Sequence, residues 1–228
     1  MTPSPTFPKR PRCKWILWCC FLLALSPWAQ AQNFSWGSEV FSDLRDSEGE
    51  VLDGASFVFQ LGAFESGFTP TSANVTDWET HWMVFDQAAY NEGLGYFTST
   101  ASMNADGTSS YQPGGGASFE GLTVYLWVYN NTTLSAGTEW FLGSVGAWGA
   151  FPTPDSECCG NSLPIEYSTS DLSGTDQPVW GSQGGNAGNG YYTVTGNHTL
   201  QTFSAVPEPS TMLLTALTGM LLAFRRKR

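Results

Sequence analysis

The sequence predicts an all-β body, a β-sandwich or jelly-roll-like domain, and three observations carry that reading. Apolar and polar side chains alternate with a period of two in "GLTVYLWVYNN". Turn-rich pieces ("NADGTSS", "QPGGGAS", "FPTPDSE", "GSQGGNAGNG") recur between such runs. No interior window of twelve or more residues carries a persuasive apolar stripe at helical spacing. Many short strands joined by Gly-rich turns suit two packed sheets around one core, and 228 residues allow one such domain with processed ends.

The chain begins with a targeting element. "KRPRCK", the eleven-residue apolar run "WILWCCFLLAL" and the small-x-small site in "SPWAQA" are the three parts of a secretory signal peptide, residues 1–31, with cleavage expected between Ala31 and Gln32. Eleven residues at about 1.5 Å each cover only about half of a bilayer core of about 30 Å, so a retained anchor fits less well.

The body follows as residues 32–205. "ASFVFQLGAF" alternates through Phe57, Phe59 and Leu61 and predicts a strand, whereas "WETHWMVFDQAAYNEG" could hold a short helix. In "GLTVYLWVYNN", Leu122, Val124, Leu126 and Val128 share one face and Thr123, Tyr125, Trp127 and Tyr129 the other. "EWFLGSV" and "YYTVTGNHTLQTF" supply two further strands. The aromatic face Tyr125, Trp127, Tyr129 has two readings: a stacking platform for the apolar face of a sugar, or filling between two sheets with both strand faces buried. The second is the stronger expectation.

Charge excludes some functions. Gln32–Val206 holds nineteen acids against a single cation, Arg45, a net of −18. Such a surface repels phosphate backbones and anionic headgroups, so no nucleic-acid partner is expected. Asp46, Glu48 and Glu50, and separately Asn104 and Asp106, offer oxygen ligands for Ca2+, but neither group completes a loop signature, and a solvated acidic surface is the expectation, with no metal or other cofactor.

Catalysis finds little footing. The body has His81 and His198, no lysine, and no nucleophile elbow, zincin helix or phosphate loop, so no enzyme is expected. A glycoside hydrolase could still draw two carboxylates from Asp77, Glu79, Asp86, Glu120 and Glu166. Cys158 and Cys159, adjacent in "PTPDSECCGNS", are open to three states: free thiols, a strained vicinal disulfide, or a link to another molecule. Sequons at Asn33, Asn74, Asn130, Asn131 and Asn197 matter only in a host that glycosylates exported chains.

Residues 206–228 form a third unit. Val206, Pro207, Glu208, Pro209 and Ser210 precede a short transmembrane helix at 211–224, whose apolar part Met212–Phe224 is thirteen residues, or about 20 Å as a helix. Arg225, Arg226, Lys227 and Arg228 then resist crossing and hold the end in the cytoplasm while the body lies outside. The result is a marginal anchor.

This ordered trio resembles the PEP-CTERM sorting signal, a Val-Pro-Glu-Pro-Ser motif followed by a short transmembrane segment and an arginine-rich cluster. The resemblance covers a tenth of the chain and leaves the body uncovered. It implies recognition by a membrane-embedded exosortase, cleavage near the Pro-Glu-Pro, and a Gram-negative bacterium that makes exopolysaccharide and biofilm. The sequence as a whole then reads as an exported surface or extracellular-matrix protein, non-enzymatic and structural or adhesive. A carbohydrate-binding module for exopolysaccharide is the first alternative and an extracellular glycoside hydrolase the second.

Overall fold

The computed structural model describes residues 31–112, 116–154, 164–172 and 176–206. Twelve strands are assigned there: β1 Ala31–Gly37, β2 Leu44–Arg45, β3 Val58–Phe64, β4 Trp82–Asn91, β5 Tyr96–Asn104, β6 Tyr125–Tyr129, β7 Glu139–Gly143, β8 Ile165–Ser168, β9 Ser182–Gln183, β10 Asn186–Ala187, β11 Leu200–Gln201 and β12 Phe203–Ser204. Eight form one sheet, in the order β12-β7-β6-β3-β4-β5-β1-β8, and four form a small one, β10-β9-β11-β2. Pairing is antiparallel except for β1 with β8 and β11 with β2. The all-β expectation holds.

The long sheet curls around its own core. β4 pairs with β3 from Trp82 to Ala88 and passes to β5 over Ala89–Asn91, so one ten-residue strand joins the two halves. Rings from both halves meet inside: Phe34 of β1 lies 4.9 Å from Phe85 of β4, and Phe59 of β3 stacks at 4.4 Å on Phe97 of β5. A bulge opposite Leu61/Gly62 leaves Phe85 without a partner residue, so it and Asp86 are both buried. The Asp86 carboxylate accepts the indole N–H of Trp36 at 2.7 Å, which offsets part of its burial cost.

A second cluster covers the other face of β6 and β7. Trp78, Trp127, Trp140, Trp180 and Phe203 are packed there, while Val124, Leu126, Val128 and Phe141 belong to the first cluster. The alternation read from "GLTVYLWVYNN" is therefore real, and both faces of its strand are buried. Trp78 reaches this cluster from a single helical turn, α1 (Trp78–His81), preceded by a 3-10 turn at Val75–Asp77.

Local propensity was overridden in two places. The segment "WETHWMVFDQAAYNEG" holds only that one turn, and from Trp82 to Asn91 it is strand, because pairing with β3 over Trp82–Ala88 and with β5 over Ala89–Asn91 gives it cross-strand partners along its length. "YYTVTGNHTLQTF" supplies only β11 and β12, its first half being an isolated bridge from Tyr191 to Ser204 followed by bends and irregular backbone. β1 begins at Ala31, so the expected cleavage bond lies at the head of a strand, with Ala31 opposite Asn104 and Gln32 opposite Met103.

Candidate functional site

The chain reaches the tail through β12, and this end of the sheet is fixed tightly. Phe203 and Ser204 of β12 face Trp140 and Glu139 of β7. Ala205 donates its N–H to the Thr138 carbonyl at 2.7 Å, and the Ser204 hydroxyl donates to the Val206 carbonyl at 2.8 Å. Val206 is the last described residue at this end.

Register places several loops at this same end. Trp140 faces Tyr129, which faces Val58; Phe59 faces Ala88; Ala89 faces Thr98, which faces Gly37. The end of β12 therefore lies level with the starts of β3, β5 and β7 and with the ends of β1, β4 and β6.

Glu139 is the node of this region, and sequence reasoning missed it. Its carboxylate accepts three hydrogen bonds, from the Ser47 N–H at 3.0 Å, the Ser47 hydroxyl at 2.6 Å and the Thr202 hydroxyl at 2.6 Å. It thus ties the loop after β2 and the β11–β12 connection to β7. Just before β2, Asp43 receives Arg45 Nε at 2.5 Å and lies 2.7 Å from His198 Nδ1. Partial burial raises the Asp43 pKa, but the hydrogen bonds from His198 and Arg45 outweigh it and hold the carboxyl below its ordinary value. The one cation of the described body is thereby committed to an internal pair. No spacing signal announces either cluster, since their members lie up to 155 residues apart.

The other expected residues are distributed as follows. Trp127 is 1% exposed, with Trp82 edge-on at 5.4 Å and Trp140 at 5.9 Å, so its ring has no free face for a pyranose. Tyr125 and Tyr129 are half-buried, and burial, with Tyr111 and Glu79 nearby, pushes the Tyr129 hydroxyl up to about 12. A continuous three-ring platform is thus replaced by a core indole between two partly exposed phenols. Asp46 Oδ1 accepts the N–H groups of Glu48 and Glu50, and Asp106 Oδ1 accepts the N–H and hydroxyl of Thr108, which close their own turns. Those bonds hold the Asp106 carboxyl below its ordinary value, the Thr108 hydroxyl contributing most. Among the described residues, no three His, Cys, Asp or Glu side chains converge as a metal site.

Of the carboxylates considered for hydrolysis, Asp86 is buried under Trp36, Glu79 accepts the Thr132 hydroxyl at 2.7 Å, and Asp77 takes the Thr76 hydroxyl at 3.3 Å. Glu166 lines a shallow cavity of about 510 Å³ with Asn33, Ser35, Thr100 and Ser102, and Glu120 is exposed. Cys158, Cys159, Pro207, Glu208, Pro209, Ser210 and Arg225–Arg228 lie outside the described residues, as does the 211–224 segment. Among the described residues, no helix is long and apolar enough to cross a membrane.

Comparison with known families decides the nature of the terminal unit. Residues 205–228 match the PEP-CTERM protein-sorting motif. The PEP-CTERM match starts at Ala205, whose N–H is bonded to the Thr138 carbonyl, so its first two residues, Ala205 and Val206, belong to the described body. A PEP-CTERM signal marks an exported protein that is held transiently in the membrane and processed by exosortase. No curated protein and no solved structure matches the chain.

Proposed function

We propose that the body is a structural or adhesive protein of the cell surface or extracellular matrix of a Gram-negative bacterium, delivered there by exosortase and active without catalysis. The observation that carries this reading is the sorting motif matched at residues 205–228 of a chain whose described residues form a β-rich body. The curled sheet and the small sheet support a sandwich-like body, and the matched tail supports the topology expected for 1–31, 32–205 and 206–228. The acid surplus suits a hydrated polymer matrix, where it keeps the protein soluble and repels other anionic chains.

The experiment is deletion of residues 206–228 in the native host. Loss of the body from the surface and matrix fractions, with its retention in the periplasm and weakened cell cohesion, supports the reading. Unchanged distribution contradicts it. Exopolysaccharide is the partner under the carbohydrate-binding alternative. Its stacking surface must then lie elsewhere than Trp127, and titration with matrix glycans, read by tryptophan fluorescence, tests it.

A further inference from the structure

Exposed apolar side chains are concentrated at the end of the sheet from which the tail departs. Val40 and Phe41 lie on the loop after β1, Leu94 on the β4–β5 turn, Val51 on the loop leading to β3, Leu134 on the β6–β7 loop and Tyr191 beside Ser204. Tyr192 and Val194 continue from Tyr191 along the end of the small sheet. Among the described residues, Tyr111, against Gln87, is the one large exposed apolar side chain elsewhere.

Phe41 is the most telling of these. It is 77% exposed and sits at φ +61, a left-handed conformation that a bulky residue adopts only against strain. Its N–H donates to the Leu94 carbonyl at 3.1 Å, which fixes the two loop tips side by side. Neither core needs this ring, so folding alone gives no reason for the strain.

The tail says what lies opposite. Only Pro207–Thr211, five residues or at most about 17 Å when extended, separate Val206 from the apolar segment that starts at Met212. With that segment in a bilayer, this end of the sheet is the one held against the membrane surface.

We infer that these loop tips form a docking rim for the interface of a zwitterionic bilayer, orienting the body while its tail is still attached. Phe41, Val40 and Leu94 enter the headgroup boundary, and Tyr191 sits at the level where phenols are favoured. Glu39, Glu48, Glu50, Asp53 and Glu92 lie on the same loops. They attract the ammonium of a choline or ethanolamine headgroup and disfavour anionic lipid. The inference rests on the reading of the tail as a temporary membrane hold, and it adds a second point of contact that keeps the Pro-Glu-Pro segment close to the membrane.

The test uses the full chain reconstituted in phosphatidylethanolamine–phosphatidylcholine vesicles with a carbene precursor dissolved in the lipid, labelled peptides being identified by mass spectrometry. Peptides carrying Phe41 and Leu94 are expected to be labelled several-fold more than the peptide carrying Tyr111, and less when phosphatidylglycerol replaces the zwitterionic lipid. Phe41→Gly should fold at least as well, since glycine accepts φ +61 without strain, yet lose several-fold of the label at Leu94. Label in the Met212–Phe224 peptide with none at Phe41 or Leu94 above Tyr111 overturns the rim and leaves the anchor standing. Absence of label from tail and rim alike overturns both. Lipid-independent protection with cross-linked dimers assigns the patch to a second copy and also overturns the inference.

Discussion

Replacing Trp127 separates a core indole from a surface one. Its ring is 1% exposed and packed edge-on against Trp78, Trp82 and Trp140, with Tyr129 tilted at 4.8 Å. Truncation to alanine should cost about 3–5 kcal/mol, a large part of the roughly 5–15 kcal/mol available to a domain. Phenylalanine should behave differently. The Trp127 indole N–H is buried without a partner among the described residues, and removing such a group relieves about 1–3 kcal/mol, which offsets much of the lost volume. Trp127→Phe is therefore expected to cost no more than about 1–2 kcal/mol. Trp140→Phe should cost more, because it strands the Asn131 carbonyl that its N–H reaches at 2.6 Å. Urea unfolding followed by near-ultraviolet circular dichroism, with the slope m held constant, measures all three. If Trp127→Ala left the midpoint within about 1 kcal/mol of the parent, the ring would be a surface group open to sugar, and the two-cluster account of β6 would be refuted.

Three further outcomes follow from the geometry. Glu139→Ala should destabilise the body by about 2–4 kcal/mol and speed hydrogen exchange in the loop after β2, because Ser47 and Thr202 lose a shared carboxylate. Gly181→Ala should cost more than about 1–2 kcal/mol in the same urea assay, since φ is +83 and a Cβ there would meet the Gln201 carbonyl at 2.5 Å. Stability should fall as pH rises from 10 towards 12: burial pushes the Tyr167 and Tyr129 hydroxyls up to about 12, so the native state keeps protons that the unfolded chain releases near its ordinary 10. Thermal melts across that range check the sign, and a rising midpoint would contradict it.

The parts of this molecule that were legible in the sequence are those with local periodicity. β6 announced itself by strict alternation, and the tail by a motif, an apolar run and a cationic end in fixed order. β1 and β5 were harder. In "AQNFSWG" the pair Phe34 and Trp36 points inward between Asn33 and Ser35, but the strand begins at the signal-peptide boundary that dominates the reading there. "YFTSTASMN" turns only Phe97, Ala101 and Met103 inward as buried groups, too weak an apolar signal in a Ser- and Thr-rich run. The bulge that brings Asp86 under Trp36, and the Glu139 and Asp43 nodes, depend on residues far apart in the chain. No local pattern encodes them.

The exported body is expected to be cut from its sorting signal near Pro207–Pro209. Intact mass spectrometry of the protein recovered from the envelope and matrix of its native host tests that most directly. The expected species begins at Gln32, lacks the 211–224 segment and Arg225–Arg228, and ends within a few residues of Val206. Recovery of the whole chain, Met1 to Arg228, from the cytosol would contradict it.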